Sequence, residues 1–175
     1  FEEKNGKKGA MISAVDLLKG IAAGAGMTNI QVEGANGQLH TNYEGKARAA
    51  ADALLKDGFD FVYVHVEAPD EMGHQGSWER KVQSIEYLDQ RLIKHLKEAL
   101  DASGEPYRMM VLPDHPTPIR VRTHTSDPVP FLLYDSTKTQ NGQDVYSEKA
   151  ARESGLTVSR GCELIDRLFE KTEIR

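Results

Sequence analysis

Apolar positions along the chain change their spacing several times, and each change marks an element. Ser13-Ala14-Val15-Asp16 has the form of a helix-start box, a hydroxyl followed three residues on by an acid, and Leu17, Leu18 and Ile21 then supply an apolar face before Gly24 and Gly26 stop it. Asn29 to Val32 reads as a short strand running into the turn-forming Gly34-Ala35-Asn36-Gly37. A second box, Thr41-Asn42-Tyr43-Glu44, precedes Ala47, Ala50, Ala51, Leu54 and Leu55 at helical spacing, with Gly58 as the stop. Phe59 to Val66 is dense in β-branched and aromatic residues and predicts a buried strand. Trp78, Val82, Ile85, Leu88, Leu92 and Leu96 recur at steps of three and four, which predicts one long helix closed by Gly104 and Pro106. Met109 to Leu112 and Val129 to Tyr134 read as further strands, and Ser159 to Phe169 as a final helix with Leu164, Ile165 and Leu168 inside. Strands alternating with helices predict an α/β fold: a mainly parallel sheet, right-handed crossovers and helices on both faces.

Composition narrows the classes. The 175 residues are a soft prior for one domain, with 39% hydrophobic and 28% charged residues, an ordinary globular balance. A net charge of −5 implies neither a nucleic-acid partner nor an anionic membrane surface, and no stretch reaches the roughly 18 apolar residues a bilayer span needs. One cysteine, Cys162, allows no intrachain disulfide and fits a reducing, cytoplasmic setting. Phe1 is not a start methionine, so the chain is expected to have been processed, trimmed or cut from a longer protein.

In parallel sheets ligands gather beyond the carboxyl ends of the strands, and three polar clusters fall at such ends. The first, Val64-His65-Val66-Glu67-Ala68-Pro69-Asp70-Glu71-Met72-Gly73-His74, offers Asp70 and His74 four apart, on one face if the turn is helical. A carboxylate with an imidazole suits zinc, manganese or iron better than calcium. The plain alternative is a solvated helix start, with Asp70 and Glu71 favourable near its positive end. His65 is read as a hydrogen-bonded core or supporting histidine. The second cluster is Asp114-His115, stiffened by Pro116 and Pro118, and the third is Thr123-His124-Thr125. Their alternative reading is polar loop. Five oxygen and nitrogen donors exceed what one ion takes from protein, and paired ions are the usual device for phosphoryl transfer. No nucleophile elbow and no Walker loop accompanies them.

These motifs resemble a known family. Asp70-Glu71-Met72-Gly73-His74, Asp114-His115 and His124-Thr125-Ser126-Asp127-Pro128-Val129-Pro130-Phe131 are similar to the C-terminal metal-binding motifs of cofactor-independent (2,3-bisphosphoglycerate-independent) phosphoglycerate mutases. The wording is closest to the archaeal-type branch, which includes proposed homoserine kinases and belongs to the alkaline phosphatase superfamily. The resemblance runs from Gly9 to about Phe169. It implies an incomplete alkaline-phosphatase-like fold in which residues 1–175 are the C-terminal part of the metal-binding domain. The nucleophilic serine segment and an inserted substrate domain would lie upstream.

It further implies two divalent ions (manganese, with zinc, magnesium or cobalt as competitors) and no 2,3-bisphosphoglycerate. Asp70, His74 and His124 match the ligands of one ion, Asp114 and His115 those of the second. The implied reaction interconverts 3-phosphoglycerate and 2-phosphoglycerate through a phosphoserine, so this portion alone is expected to be inactive. Lys46, Arg120 and Arg122, near strand ends, are candidates to contact phosphate, with solvated surface charge as the alternative for all three. Competing functions are a homoserine-type phosphotransferase, a metal-dependent phosphatase, or a non-catalytic module that binds a partner protein. A truncated core is also expected to expose surface that could pair with a second copy.

Overall fold

The computed structural model describes residues 1–138 and 142–169. They fall into two compact units: Phe1–Gly104 with Thr117–Thr123, and Glu105–Pro116 with the described residues from His124 onward.

In the first unit, α1 (Glu2–Asn5) leads into β1 (Gly9–Ile12), α2 (Asp16–Gly24), β2 (Thr28–Asn29), α3 (Tyr43–Leu55) and β3 (Phe61–Val64). The strands are parallel in the order β2-β1-β3. β1 is central and buried throughout, as a strand covered on both faces must be. From β1 the chain crosses to one neighbour through α2, then back over β1 to the other through α3. Right-handed crossovers in opposite directions place those two helices on opposite faces.

Several predicted boundaries shift. The strand expected over Asn29–Val32 pairs only at Thr28–Asn29, and the chain then turns away through Gly34 at φ +73°. Ser13 does not cap α2: Val15 is the N-cap, and the Ser13 hydroxyl accepts from the Val15 amide at 3.1 Å in a tight turn before the helix. Leu17 is 71% exposed and Ile21 56%, so the expected apolar face of α2 meets solvent while Ala22 points inward. The cap of α3 lies one residue later than the predicted box. Asn42 accepts from the Gly45 amide at 2.8 Å, and Thr41 instead accepts from the Asn36 amide at 3.0 Å.

The unit continues with α4 (Ala68–Gln75), α5 (Trp78–Tyr87), a π-helical stretch over Leu88–Ile93 and α6 (Lys94–Ser103), which Gly104 ends at φ +73°. The predicted long helix is thus continuous from α5 to α6 but carries a widened stretch. There the Arg91 guanidinium grips both carboxylate oxygens of Glu44 at 2.6 and 3.0 Å and lies over the rings of Tyr43 and Tyr87. The apolar line divides. Leu92 is buried and Leu88 and Leu96 pack on the core of Tyr43, Ala47 and Ala68, whereas Trp78, Val82 and Ile85 face solvent. Among the described residues no helix is long and apolar enough to cross a membrane.

In the second unit, β4 (Arg108–Val111) and β5 (Leu132–Asp135) form an antiparallel pair with Arg108 opposite Asp135. The parallel expectation therefore holds for the three strands of the first unit and not for this pair. Arg108 places Nε and Nη2 at 2.8 and 2.7 Å from Asp135 Oδ2. α7 (Glu148–Glu153), capped by Ser147, has no counterpart in the sequence reading. The helix expected over 159–169 is a 3₁₀ turn, Gly161–Glu163, followed by the short α8 (Leu164–Leu168), with Leu164 buried.

Candidate metal centre

β1 and β3 end side by side, Ile12 opposite Val64. Just past those ends Ser13, His65 and Glu67 gather. His65 Nδ1 lies 3.5 Å from Ser13 Oγ and 3.6 Å from Glu67 Oε1, so the ring is a hydrogen-bonded histidine, as expected. Lys46 of α3 enters the same group. It is fully buried, and its ammonium donates to the His65 carbonyl at 2.7 Å and stands 3.4 Å from Glu67 Oε2. The surface-charge alternative for Lys46 is therefore wrong, because its charge is enclosed and paired. Burial pushes the Lys46 ammonium below its ordinary value, opposed by Glu67. Burial also acts to raise the Glu67 carboxyl, but the His65 ring and Lys46 outweigh it and hold that carboxyl below its ordinary value.

α4 starts directly after Glu67. Pro69 occupies its first turn, where a missing N–H costs nothing, and Gly76 closes it in the left-handed region. The helical turn brings Asp70 and His74 together on one face, with Asp70 Oδ2 3.3 Å from His74 Nε2. The other ring nitrogen, Nδ1, lies 3.0 Å from the carbonyl oxygen of Arg122. A carbonyl only accepts, so Nδ1 carries the proton, and in the neutral ring Nε2 presents its lone pair to a carboxylate oxygen. In that neutral form the two electron-rich atoms suit a positive centre between them, a role that a second ring proton would also fill. Ligands about 2.0–2.2 Å from one ion, at tetrahedral to right angles, stand roughly 2.8–3.6 Å apart, so this donor pair fits a divalent metal.

Residues 117–123 press on α4. Thr117 is 3% exposed, its hydroxyl donates to Asp70 Oδ1, and its carbonyl accepts from Lys81 Nζ of α5 at 2.6 Å. The approach needs Gly73: a Cβ there would sit 2.5 Å from the Thr117 carbonyl oxygen. Arg122 adopts φ +58° and lays its side chain over Gly76, where a Cβ would lie 2.4 Å from its Nε. Arg120 is exposed.

In the second unit Asp114 and His115 follow β4. His115 donates its amide to Asp114 Oδ1 at 3.1 Å, and its Nε2 lies 3.5 Å from Asp114 Oδ2. The two neighbouring side chains thus turn toward each other. His124 stacks on His115 with ring centroids 3.7 Å apart and planes 31° from parallel. The Thr125 amide ties this stretch to the Pro116 carbonyl at 3.1 Å. His95 is an exposed residue of α6. Sequence reasoning missed Ser13, Lys81 and Thr117. The available signal for Thr117 was Pro118 after it, which restricts its backbone to extended conformations.

A parallel α/β unit with a carboxylate–imidazole pair beyond its strand ends defines a metal-dependent enzyme fold, and this chain belongs to the metalloenzyme superfamily: the family model of that description matches residues 1–165. It is 47% identical over 171 residues to the 2,3-bisphosphoglycerate-independent phosphoglycerate mutase of Methanosarcina mazei, covering 97% of this chain and 43% of that protein. It is 46% identical over 172 residues to the probable 2,3-bisphosphoglycerate-independent phosphoglycerate mutase of Geobacter sulfurreducens, covering 98% and 42%. The solved structure of the PH0037 protein from Pyrococcus horikoshii is similar with a TM-score of 0.83 at 31% identity, covering 98% of this chain and 52% of that one. The chain thus spans roughly two-fifths of the length of the curated relatives it matches.

Proposed function

We propose that this chain is the C-terminal, metal-binding part of a two-metal phosphoglycerate mutase that interconverts 3-phosphoglycerate and 2-phosphoglycerate without 2,3-bisphosphoglycerate. The observation that carries the reading is the pairing of Asp70 Oδ2 with the lone-pair nitrogen of His74, at the spacing of two ligands on one ion. By their motifs, Asp70, His74 and His124 hold one divalent ion and Asp114 and His115 the other. The stack of His115 on His124 supports neighbouring ions, because adjacent rings can each serve one of a close pair. Manganese is the metal we assign, with zinc, magnesium and cobalt as competitors set by availability. When bound, the ions lower the pKa of an attacking hydroxyl and neutralise the transferring phosphoryl oxygens.

The chain's own residues bind and orient. The Arg122 carbonyl fixes the His74 tautomer, and the Lys46–Glu67–His65 group anchors the turn from which α4 departs. Arg120 and Arg122 remain candidates for phosphate contact. On this reading a longer, cytoplasmic protein supplies the nucleophilic serine and the substrate domain, and the 175-residue chain alone is expected to turn over no phosphoglycerate.

Calorimetric titration of this chain with manganese, beside His74→Ala, tests the metal reading. Binding is expected and is lost in the variant. A chain that binds no manganese sinks the reading and favours the non-catalytic module. Assaying the longer protein for mutase, kinase and phosphatase activity then tests the chemistry. Net release of phosphate from 3-phosphoglycerate without 2-phosphoglycerate would assign a phosphatase instead.

A further inference from the structure

Asp70 has two oxygens, and the structure gives them different neighbours. Oδ2 faces His74 Nε2 at 3.3 Å, whereas Oδ1 accepts the hydroxyl hydrogen of Thr117. Thr117 is itself held on every side. Pro118 after it restricts its backbone, and its carbonyl accepts from the Lys81 ammonium at 2.6 Å. Its Cγ2 and carbonyl oxygen both close on α4 at Gly73, where an added Cβ would stand 3.0 and 2.5 Å away. The hydroxyl is aimed by this packing rather than by its own rotamer freedom.

We propose that Thr117 is a positioning residue that makes Asp70 a one-oxygen ligand and so selects the ion. The inference rests on the reading of Asp70 and His74 as metal ligands. A carboxylate whose Oδ1 is engaged by a buried hydroxyl meets a cation through Oδ2 alone. Calcium seeks six to eight oxygens at about 2.3–2.6 Å and commonly takes carboxylates through both, so it loses a contact. Manganese and zinc accept a single carboxylate oxygen beside an imidazole and lose nothing. Lys81 acts one step further out, because its bond to the Thr117 carbonyl keeps residues 117–123 against α4. Hydrogen-bonded partners of ligating groups typically account for 10–100-fold in metal affinity.

The test titrates manganese and calcium separately into the chain, into Thr117→Val and into Thr117→Ser, with far-UV circular dichroism confirming that each variant folds. Thr117→Val is expected to bind manganese 10–100-fold more weakly and to narrow the manganese-to-calcium preference. Thr117→Ser, which keeps the hydroxyl, is expected to restore both. With the fold confirmed, a merely structural role for Thr117 would weaken both ions in proportion and leave the preference unchanged, and that result overturns the proposal. If the unaltered chain binds manganese and Thr117→Val binds it equally well with the same preference, the selection idea fails while the metal reading stands. If the unaltered chain binds no manganese, both fail.

Discussion

Replacing Lys46 with methionine keeps the length of the side chain and removes its charge. The ammonium is fully buried, 2.7 Å from the His65 carbonyl and 3.4 Å from Glu67 Oε2, and the Glu67 side chain is only 7% exposed. Lys46→Met therefore leaves a buried carboxylate without its cation and a buried carbonyl without its donor. Breaking a buried pair from one side typically costs about 3–5 kcal/mol, most of it the penalty on the charge left behind. Against a typical domain stability of about 5–15 kcal/mol, that is enough to move the unfolding midpoint far or to abolish folding near physiological temperature. Removing both charges has a different consequence, because two apolar groups of similar volume owe no desolvation. The double variant Lys46→Met/Glu67→Met is expected to recover at least about 2 kcal/mol of the loss. Urea unfolding followed by far-UV circular dichroism measures both. A single variant costing less than about 1 kcal/mol, or a double variant no better than the single, would refute the argument from the buried pair.

Two further outcomes follow from the same physics. The Thr137 hydroxyl and amide, both on Asp135 Oδ1, together with Arg108 hold the Asp135 carboxyl well below its ordinary value of 3.8. A depressed carboxylate stabilises above its unfolded value, so this contribution is complete above about pH 5 and falls away progressively as the pH drops through 4 and below. The slope of unfolding free energy against acid pH should flatten in Asp135→Asn, and an unchanged slope would remove Asp135 as its source. Gly73→Ala gains helix propensity of about 1 kcal/mol but drives a methyl to 2.5 Å from the Thr117 carbonyl oxygen. Net destabilisation by about 1–3 kcal/mol is expected from thermal unfolding, and a stabilised variant would show that residues 117–123 do not press on α4 as described.

The half-buried strand at Phe61–Val64 and the helices at Asp16–Gly24 and Tyr43–Leu55 follow from apolar spacing, because the free energy that drives them is the burial of those side chains; the buried strand at Gly9–Ile12 was missed, its four-residue Gly-Ala-Met-Ile run being too short to show a period. The direction of β5 was legible too, and was misread. A parallel return to β4 needs a crossover, usually a helix, and Pro113, Pro116, Pro118, Pro128 and Pro130 deny one to the connection. Asp70 and His74 could be paired from their spacing, since a helix imposes that contact locally. Lys46 could not be placed the same way: its burial is decided by Glu67, a partner 21 residues on that meets it only through the fold. The exposure of Leu17, Trp78 and Val82 was equally hidden, because spacing shows that a face is apolar but not what covers it.

The placement of Asp70 and His74 on one eight-residue helix has a consequence for how a metal would be captured. Donors drawn from distant parts of a chain must be brought together against the entropy of closing a long loop, and an ion that arrives early finds them scattered. Here one turn of α4 already holds two of them, so the first encounter is with a chelate rather than a single ligand. An ion bound there would lose its second water without any further ordering of the backbone. The helix, fixed at its start by Pro69 and at its end by Gly76, would carry the pair as one body through any motion that brought the remaining ligands to it.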